Sequence, residues 1–384
     1  MGAAATFFKC LIPRIALSLI FSWYGHLGFG GDPQAYHLLG KYLKSTLLDP
    51  VHANLDDVLN AEGFEELDPT YEIHAVAIDH IRQPESVRQY LNTVIPIAML
   101  HAVAYCVWDY PLTFVLLNAV ISAFAITRAT SVFQMDDRQA AWLVFNPVSI
   151  YFAATHFKES LAESLVIAFT TTLYGRNRPV RALFWVLMML LFRVSFAGIL
   201  AAFFLFRYTP FGRLRPLYLF GGILIVLALL PPFFNLDEVK MGGSGAIYSL
   251  VYQNEYTMKL LGPLLGLLLP FPFHIVLAHW ATDPGTIFTT VYGIYYYIVA
   301  IGWLIHWRYL SRCLETNRLV NTVIFVSLLL GYLFVGASGV KDRYFVAFFP
   351  VMILALIGMM ALKKEQLSDP EPCEIGTAQP TACL

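Results

Sequence analysis

The sequence predicts an all-α, polytopic membrane protein with about eight to eleven membrane segments, some of them half-length or re-entrant, and one large external loop carrying surface helices. Three observations predict it. Of the 384 residues 58% are hydrophobic and only 13% are charged. Apolar runs of spanning length recur from end to end, which excludes an ordinary soluble globule. The Lys and Arg residues gather in short clusters between those runs, as the cytoplasmic turns of helical membrane proteins do. The net charge of -1 gives no global basic field for nucleic acid.

The elements follow in order. Ala4 to Leu27 reads as an uncleaved first membrane helix, because Lys9 and Arg14 give it a basic start without a small-residue cleavage site. Those two charges hold the N-terminus inside. The stretch from His26 to Tyr90 carries eleven acidic residues against four basic ones and therefore lies outside. Tyr36, Leu39, Tyr42 and Leu43 repeat there at helical spacing beside Lys41 and Lys44, which predicts a helix on the membrane surface.

Basic clusters fix the cytoplasmic turns: Arg176, Arg178 and Arg181; Arg207, Arg213 and Arg215; Arg308, Arg312 and Arg318; Lys363 and Lys364. Between the first two lies Ala182 to Phe206, too short for two crossings of roughly 20 residues, so a broken pair of half-length helices with Arg193 at its middle is expected. Counting back from Arg176, Leu161 to Tyr174 runs inward, Ala140 to Ala154 outward and Leu112 to Ile126 inward. Leu91 to Trp108 is left as a dipping or surface segment.

Beyond Arg215, Leu217 to Leu230 crosses outward, and Gly242, Gly243 and Gly245 lead to the proline-broken segment Leu260 to Phe273. Ile287 to Ile305, Val320 to Val335 and Phe345 to Leu362 complete the count. Residues 1–364 are thus expected to form one transmembrane domain, with 26–90 as its external loop and 365–384 as a disordered cytoplasmic tail. The five cysteines show neither CxxC pairing nor metal-ligand spacing and read as packing or tail residues.

Three constellations carry candidate chemistry. Asp32 stands behind the Gly30-Gly31 bend where water gives way to lipid, followed by Pro33, Tyr36 and His37. A partly desolvated carboxylate there can take a proton from a hydroxyl, although Asp followed by Pro also reads as a plain helix start. Lys158, Glu159 and Glu163 interrupt an apolar stretch, and the two glutamates, four apart, share one helical face. Charges at membrane depth pair, face a cavity or mark a substrate path, although Glu159 also suits the first turn of a helix. Arg193 and the external turn Lys341-Asp342-Arg343-Tyr344 supply cations suited to phosphate. The alternatives are a snorkelling or structurally paired Arg193 and an ordinary Asp–Arg surface pair. His101, His274 and His279 read as structural residues. Neither a metal site nor a cofactor is indicated, and Asp136 and Asp137, which could hold a divalent cation, fall on the inner side.

By positive-inside counting alone, Asp32, Lys158, Glu159 and Lys341 to Arg343 converge on one side of the membrane. At this point the chain resembles the GT-C superfamily of polyprenyl-phosphate-dependent glycosyltransferases, which includes the protein O-mannosyltransferases and the aminoarabinose transferase. The resemblance lies in Gly31-Asp32-Pro-Gln-Ala-Tyr36-His-Leu-Leu-Gly after the first helix, in Asn146-Pro147 through Lys158-Glu159-Ser-Leu, in Leu191-Phe-Arg193-Val-Ser-Phe-Ala-Gly, and in Lys341-Asp-Arg343-Tyr344 with Phe348-Phe-Pro350. It spans most of the chain through short, degenerate motifs. The loop has Asp32-Pro33 where the family often has two adjacent acids, the second acidic position is Glu159 where aspartate is frequent, and Arg82-Gln-Pro84 matches only loosely.

The resemblance implies an inverting, metal-unassigned glycosyltransferase of the bacterial inner membrane, both termini cytoplasmic. It implies Asp32 as general base; on the charge pattern of this chain, Lys158 and Arg343 are expected against the leaving lipid phosphate, and Tyr36, His37, Glu159, Glu163, Arg193, Lys341, Asp342 and Tyr344 are expected to line the site. Its partners would be a polyprenyl-phosphate-linked sugar donor, a glycan, lipid or protein hydroxyl acceptor and membrane lipids, with no nucleic acid. Two other readings stay open: a polymerase or ligase of lipid-linked glycan repeats, and a non-enzymatic lipid or sugar transporter or flippase.

Overall fold

The computed structural model describes residues 2–23, 32–54, 57–58, 84–156, 158–192, 194–209, 284–306, 319, 323 and 347–368. These residues are helical, with no strand among them. In chain order the helices are α1 (Ala3–Trp23), α2 (Asp32–Leu48), α3 (Pro84–Val107), α4 (Pro111–Val132), α5 (Asp137–Val144), α6 (Pro147–Ala153), α7 (Glu159–Thr170), α8 (Pro179–Phe192), α9 (Val194–Tyr208), α10 (Pro284–Ile305) and α11 (Phe349–Ser368). Two of them, α1 and α4, are long and apolar enough to cross a membrane. The described residues fall into two compact units, one drawn from Met1–Thr171 and Val180–Gly198, the other from Thr172–Pro179 and Ile199–Leu384.

In the first unit α1 packs on α4, α4 on α7, and α2 lies along α3. The α2–α3 contact is close because Gly40 faces His101: a Cβ at Gly40 would stand 2.5 Å from the His101 Cβ and 3.2 Å from the Ala98 carbonyl oxygen. The segment expected to dip between Leu91 and Trp108 belongs to one helix, α3, whose apolar part, Ile95–Val107, is shorter than a span. Between α3 and α4, Asp109 accepts Lys41 at 2.6 Å and Lys44 at 2.7 Å, which ties the α3–α4 turn to the second half of α2. Trp108 and Tyr110 stack on each other on either side of Asp109, with ring centroids 5.2 Å apart.

Two expectations need correction. The single outward helix over Ala140 to Ala154 is instead two short helices, α5 and α6, eight and seven residues long. Pro147 lacks an N–H and disfavours a helical conformation at the residue before it. Asn146 accordingly turns extended (φ -61°, ψ 109°) and caps α6, its Oδ1 accepting the Val148 amide at 3.1 Å. At about 1.5 Å per residue neither piece crosses a bilayer. Asp136 and Gln139 open α5 with a reciprocal capping box, which accounts for the first acid of that turn.

The second correction is Arg14. It stands in the middle of α1 and is fully buried, so it is not a charge flanking the helix, and the inside assignment of the N-terminus rests on Lys9 alone. The stretch from Ala182 to Phe206 falls within α8 and α9 apart from residue 193, which lies outside those described. In the second unit Tyr174 donates to the Phe203 carbonyl at 3.4 Å and lies beneath the Arg207 guanidinium at 5.5 Å. There α10 packs on α11, where the Trp303 indole donates to the Met352 carbonyl at 3.3 Å. Helix α11 runs on to Ser368, into the stretch expected to be a tail, and residues 369–384 lie outside those described.

Candidate functional site

The first turns of α2 and the start of α7 meet. Helix α2 begins at Asp32, and one turn further on, roughly 6 Å along the axis, Tyr36 is buried with the Lys158 ammonium 5.2 Å from its ring centre. A lysine over a phenol ring holds its charge against the negative face of the π-system while its head stays partly solvated. Lys158 sits at the N-cap of α7 without a side-chain capping bond, and Glu159 begins that helix with its side chain buried. A carboxylate in the first turn is favoured by the helix dipole.

Next to this contact lies an aromatic and imidazole cluster drawn from α2, α3, α4 and the α6–α7 link. His37 Nδ1 and the Tyr105 hydroxyl are 2.6 Å apart. The His101 ring lies 3.4 Å from Phe114, nearly parallel to it, and its Nδ1 donates to the Ile97 carbonyl at 2.9 Å. A carbonyl oxygen only accepts, so in the neutral ring the His101 Nε2 carries the lone pair. It then accepts from His156 Nδ1 at 3.2 Å. The His37 and His156 rings stand 6.2 Å apart. His101 is therefore satisfied within the fold, whereas its partner His156 belongs to the segment leading to Lys158.

Deeper in the same unit, Glu163 accepts the Ser149 hydroxyl, and Ser149 in turn accepts from Asn146 Nδ2 at 3.0 Å. Arg14 donates from Nε to Ser122 Oγ at 3.1 Å and from Nη1 to the Cys10 carbonyl at 2.7 Å and the Val144 carbonyl at 3.4 Å. Val144 closes α5, so the guanidinium meets the carbonyl end of the broken helix, where a cation is favoured. Glu159 and Glu163 thus have different roles despite sharing a helical face: the first opens α7, the second anchors it to α6.

Of the residues singled out in the sequence, Tyr36, His37, Lys158, Glu159 and Glu163 lie in this unit. Asp32 contributes its backbone to α2, and its side chain lies outside the described residues, as do Arg193, Lys341, Asp342, Arg343 and Tyr344. Sequence reasoning missed Tyr105, His156, Asp109 and the depth of Arg14. Arg14 was findable, being a lone charge centred in an apolar run; Tyr105 and Asp109 had no signal beyond their place near α2. Cys10 is buried and Cys106 exposed, both as free thiols.

The cluster can hold a cation at the end of a buried aromatic surface, pass hydrogen bonds between imidazoles and present carboxylates at two depths. Among the described residues no group of three or more His, Cys, Asp or Glu is arranged to hold a metal ion. No protein-family model, curated protein or solved structure matches the chain.

Proposed function

We propose that the chain is a polytopic inner-membrane glycosyltransferase that moves a sugar from a polyprenyl-phosphate donor to a hydroxyl acceptor on the external face. The observation that carries this reading is the Lys158–Tyr36 contact. It joins two segments selected separately for their chemistry, the one following Asp32 and the one opening α7. In this reading Asp32 takes the acceptor proton as the hydroxyl oxygen attacks the anomeric carbon, and the bond to the lipid phosphate breaks on the opposite side. Lys158, with Arg343 from the external turn, offsets the charge left on the departing phosphate, the larger electrostatic contribution to such a step. Tyr36, His37 and Glu159 line the sugar or acceptor, and Glu163 supports them one turn deeper.

The test is turnover of a polyprenyl-phosphate sugar by the purified full chain in detergent. Asp32→Asn should abolish transfer while donor lipid still binds. Full activity in that variant would end the assignment. The broken α5–α6 pair and the buried charges of Arg14 and Glu163 favour a second reading, a lipid or sugar transporter, since such proteins use interrupted helices and interior charges. Transfer to acceptor without any gradient separates the two.

A further inference from the structure

Four buried side chains of the first unit each keep one polar atom that has no hydrogen-bond partner among the described residues: Arg14 Nη2, Asn118 Oδ1, Ser160 Oγ and Glu163 Oε2. All four residues are at most 5% exposed, so bulk solvent does not supply the missing partners. Buried polar atoms of this kind cost roughly 1–3 kcal/mol each when left unmet.

They lie on three helices that pack in series, α1 on α4 and α4 on α7. On α4, Asn118 lies one turn from Ser122, which takes Arg14 Nε. Its amide donates to the Phe152 and Thr155 carbonyls at the end of α6. On α7, Ser160 lies three residues before Glu163, on the same side of the helix, and Glu163 takes the Ser149 hydroxyl from α6. Arg14 and Glu163 are within electrostatic reach of each other without touching.

The chemistry of the four atoms selects the ligand. Arg14 Nη2 needs an acceptor, Asn118 Oδ1 and Glu163 Oε2 need donors, and Ser160 Oγ takes either. A bare cation offers nothing to Arg14 and meets its charge. A halide has no hydrogen for Asn118 or Glu163, and any anion meets the carboxylate. Water supplies both, and buried waters bind at such sites with about three hydrogen bonds each.

We propose that the α1–α4–α7 seam binds ordered water that links Arg14 to Glu163, making a hydrated intramembrane ion pair which fixes the α5–α6 break. The guanidinium keeps its charge at any working pH, and the bridged carboxylate compensates it. Truncating either partner strands the other's charge in a buried site.

Two experiments on the full chain in detergent or nanodiscs test this. In a double-mutant cycle, Glu163→Gln and Arg14→Met should each lower the Tm by roughly 5 °C or more, and the double variant should recover at least half of the larger loss. Losses that simply add would overturn the link. If a single variant yields no folded protein, recovery of monodisperse protein in the double variant supports the link, and failure of the double variant while Glu163→Gln folds overturns it. Hydroxyl-radical footprinting reads the water itself. Cys10, fully buried beside Arg14, should be oxidised by radicals formed from the adjacent water, while the equally buried Met189 of α8 stays unmodified. An unmodified Cys10 would show a dry seam.

Discussion

Lys158 and Asp109 show what a single charge does here. If Lys158 offsets a leaving phosphate, Lys158→Met keeps the apolar stem over Tyr36 and removes only the charge. It should cut kcat by on the order of a hundredfold yet shift the Tm by only a few degrees, since a cation over a ring contributes about 0.5–2 kcal/mol. Parallel turnover and thermal unfolding measurements separate these effects. Asp109 makes a different prediction. Burial alone would raise its carboxyl, but the hydrogen bonds and charges of Lys41 and Lys44 outweigh burial and hold it below the ordinary aspartate value. A carboxylate lowered in the folded state stabilises it above the unfolded value and loses that contribution as pH falls through the folded value. Wild type should therefore unfold at a higher temperature than Asp109→Asn from neutral pH down to about pH 4, and the two should converge on further acidification. A gap independent of pH would mean that the Lys41–Asp109–Lys44 clamp contributes nothing. The three residues were visible in the sequence, but their meeting was not, because it depends on how α2 lies along α3.

At the scale of elements, the α2–α3 pairing depends on a missing side chain. Ala is favoured over Gly within a helix by about 1 kcal/mol, so Gly40→Ala in a free helix would stabilise. Here the new Cβ would enter the His101 Cβ at 2.5 Å, with the α3 backbone just behind it. Overpacking of this kind costs about 1–3 kcal/mol, so the variant should have a lower Tm than wild type. A rise in Tm would show that α2 is free to lift from α3. The α5–α6 break was half legible. Asn146-Pro147 is a strong helix-start signal, but it was read into one continuous crossing because the apolar pattern runs through it. The stretch Ala182 to Phe206 is covered by two short helices, α8 and α9, a division for which the spacing of the basic clusters had left room.

At the scale of the whole molecule, two of the described helices, α1 and α4, are long and apolar enough to cross a membrane, and the helical class was plain from the frequency and length of apolar runs. The order of buried polar groups was not, since hydropathy averages over a window and cannot tell a flanking arginine from a central one. Lys9 and Arg14 looked alike in the sequence, five residues apart; one lies near the start of α1 and the other is sealed against α4 and α5. The two segments that meet at the Lys158–Tyr36 contact were legible separately, as Tyr36–His37 and Lys158–Glu159. The imidazole and phenol groups that join them come from α3 and the α6–α7 link, which no spacing rule connects. Arg14 also has a consequence for synthesis. An arginine at the centre of a helix opposes membrane insertion by about 2.5–3.5 kcal/mol, so, on the proposed membrane reading, α1 would be a poor anchor when it leaves the ribosome alone. Ser122 and the Val144 carbonyl follow more than a hundred residues later, and Glu163 later still. In the proposed membrane protein the first helix to be made is therefore among the last to be secured, and the nascent chain would depend on the insertion machinery until α7 has been translated.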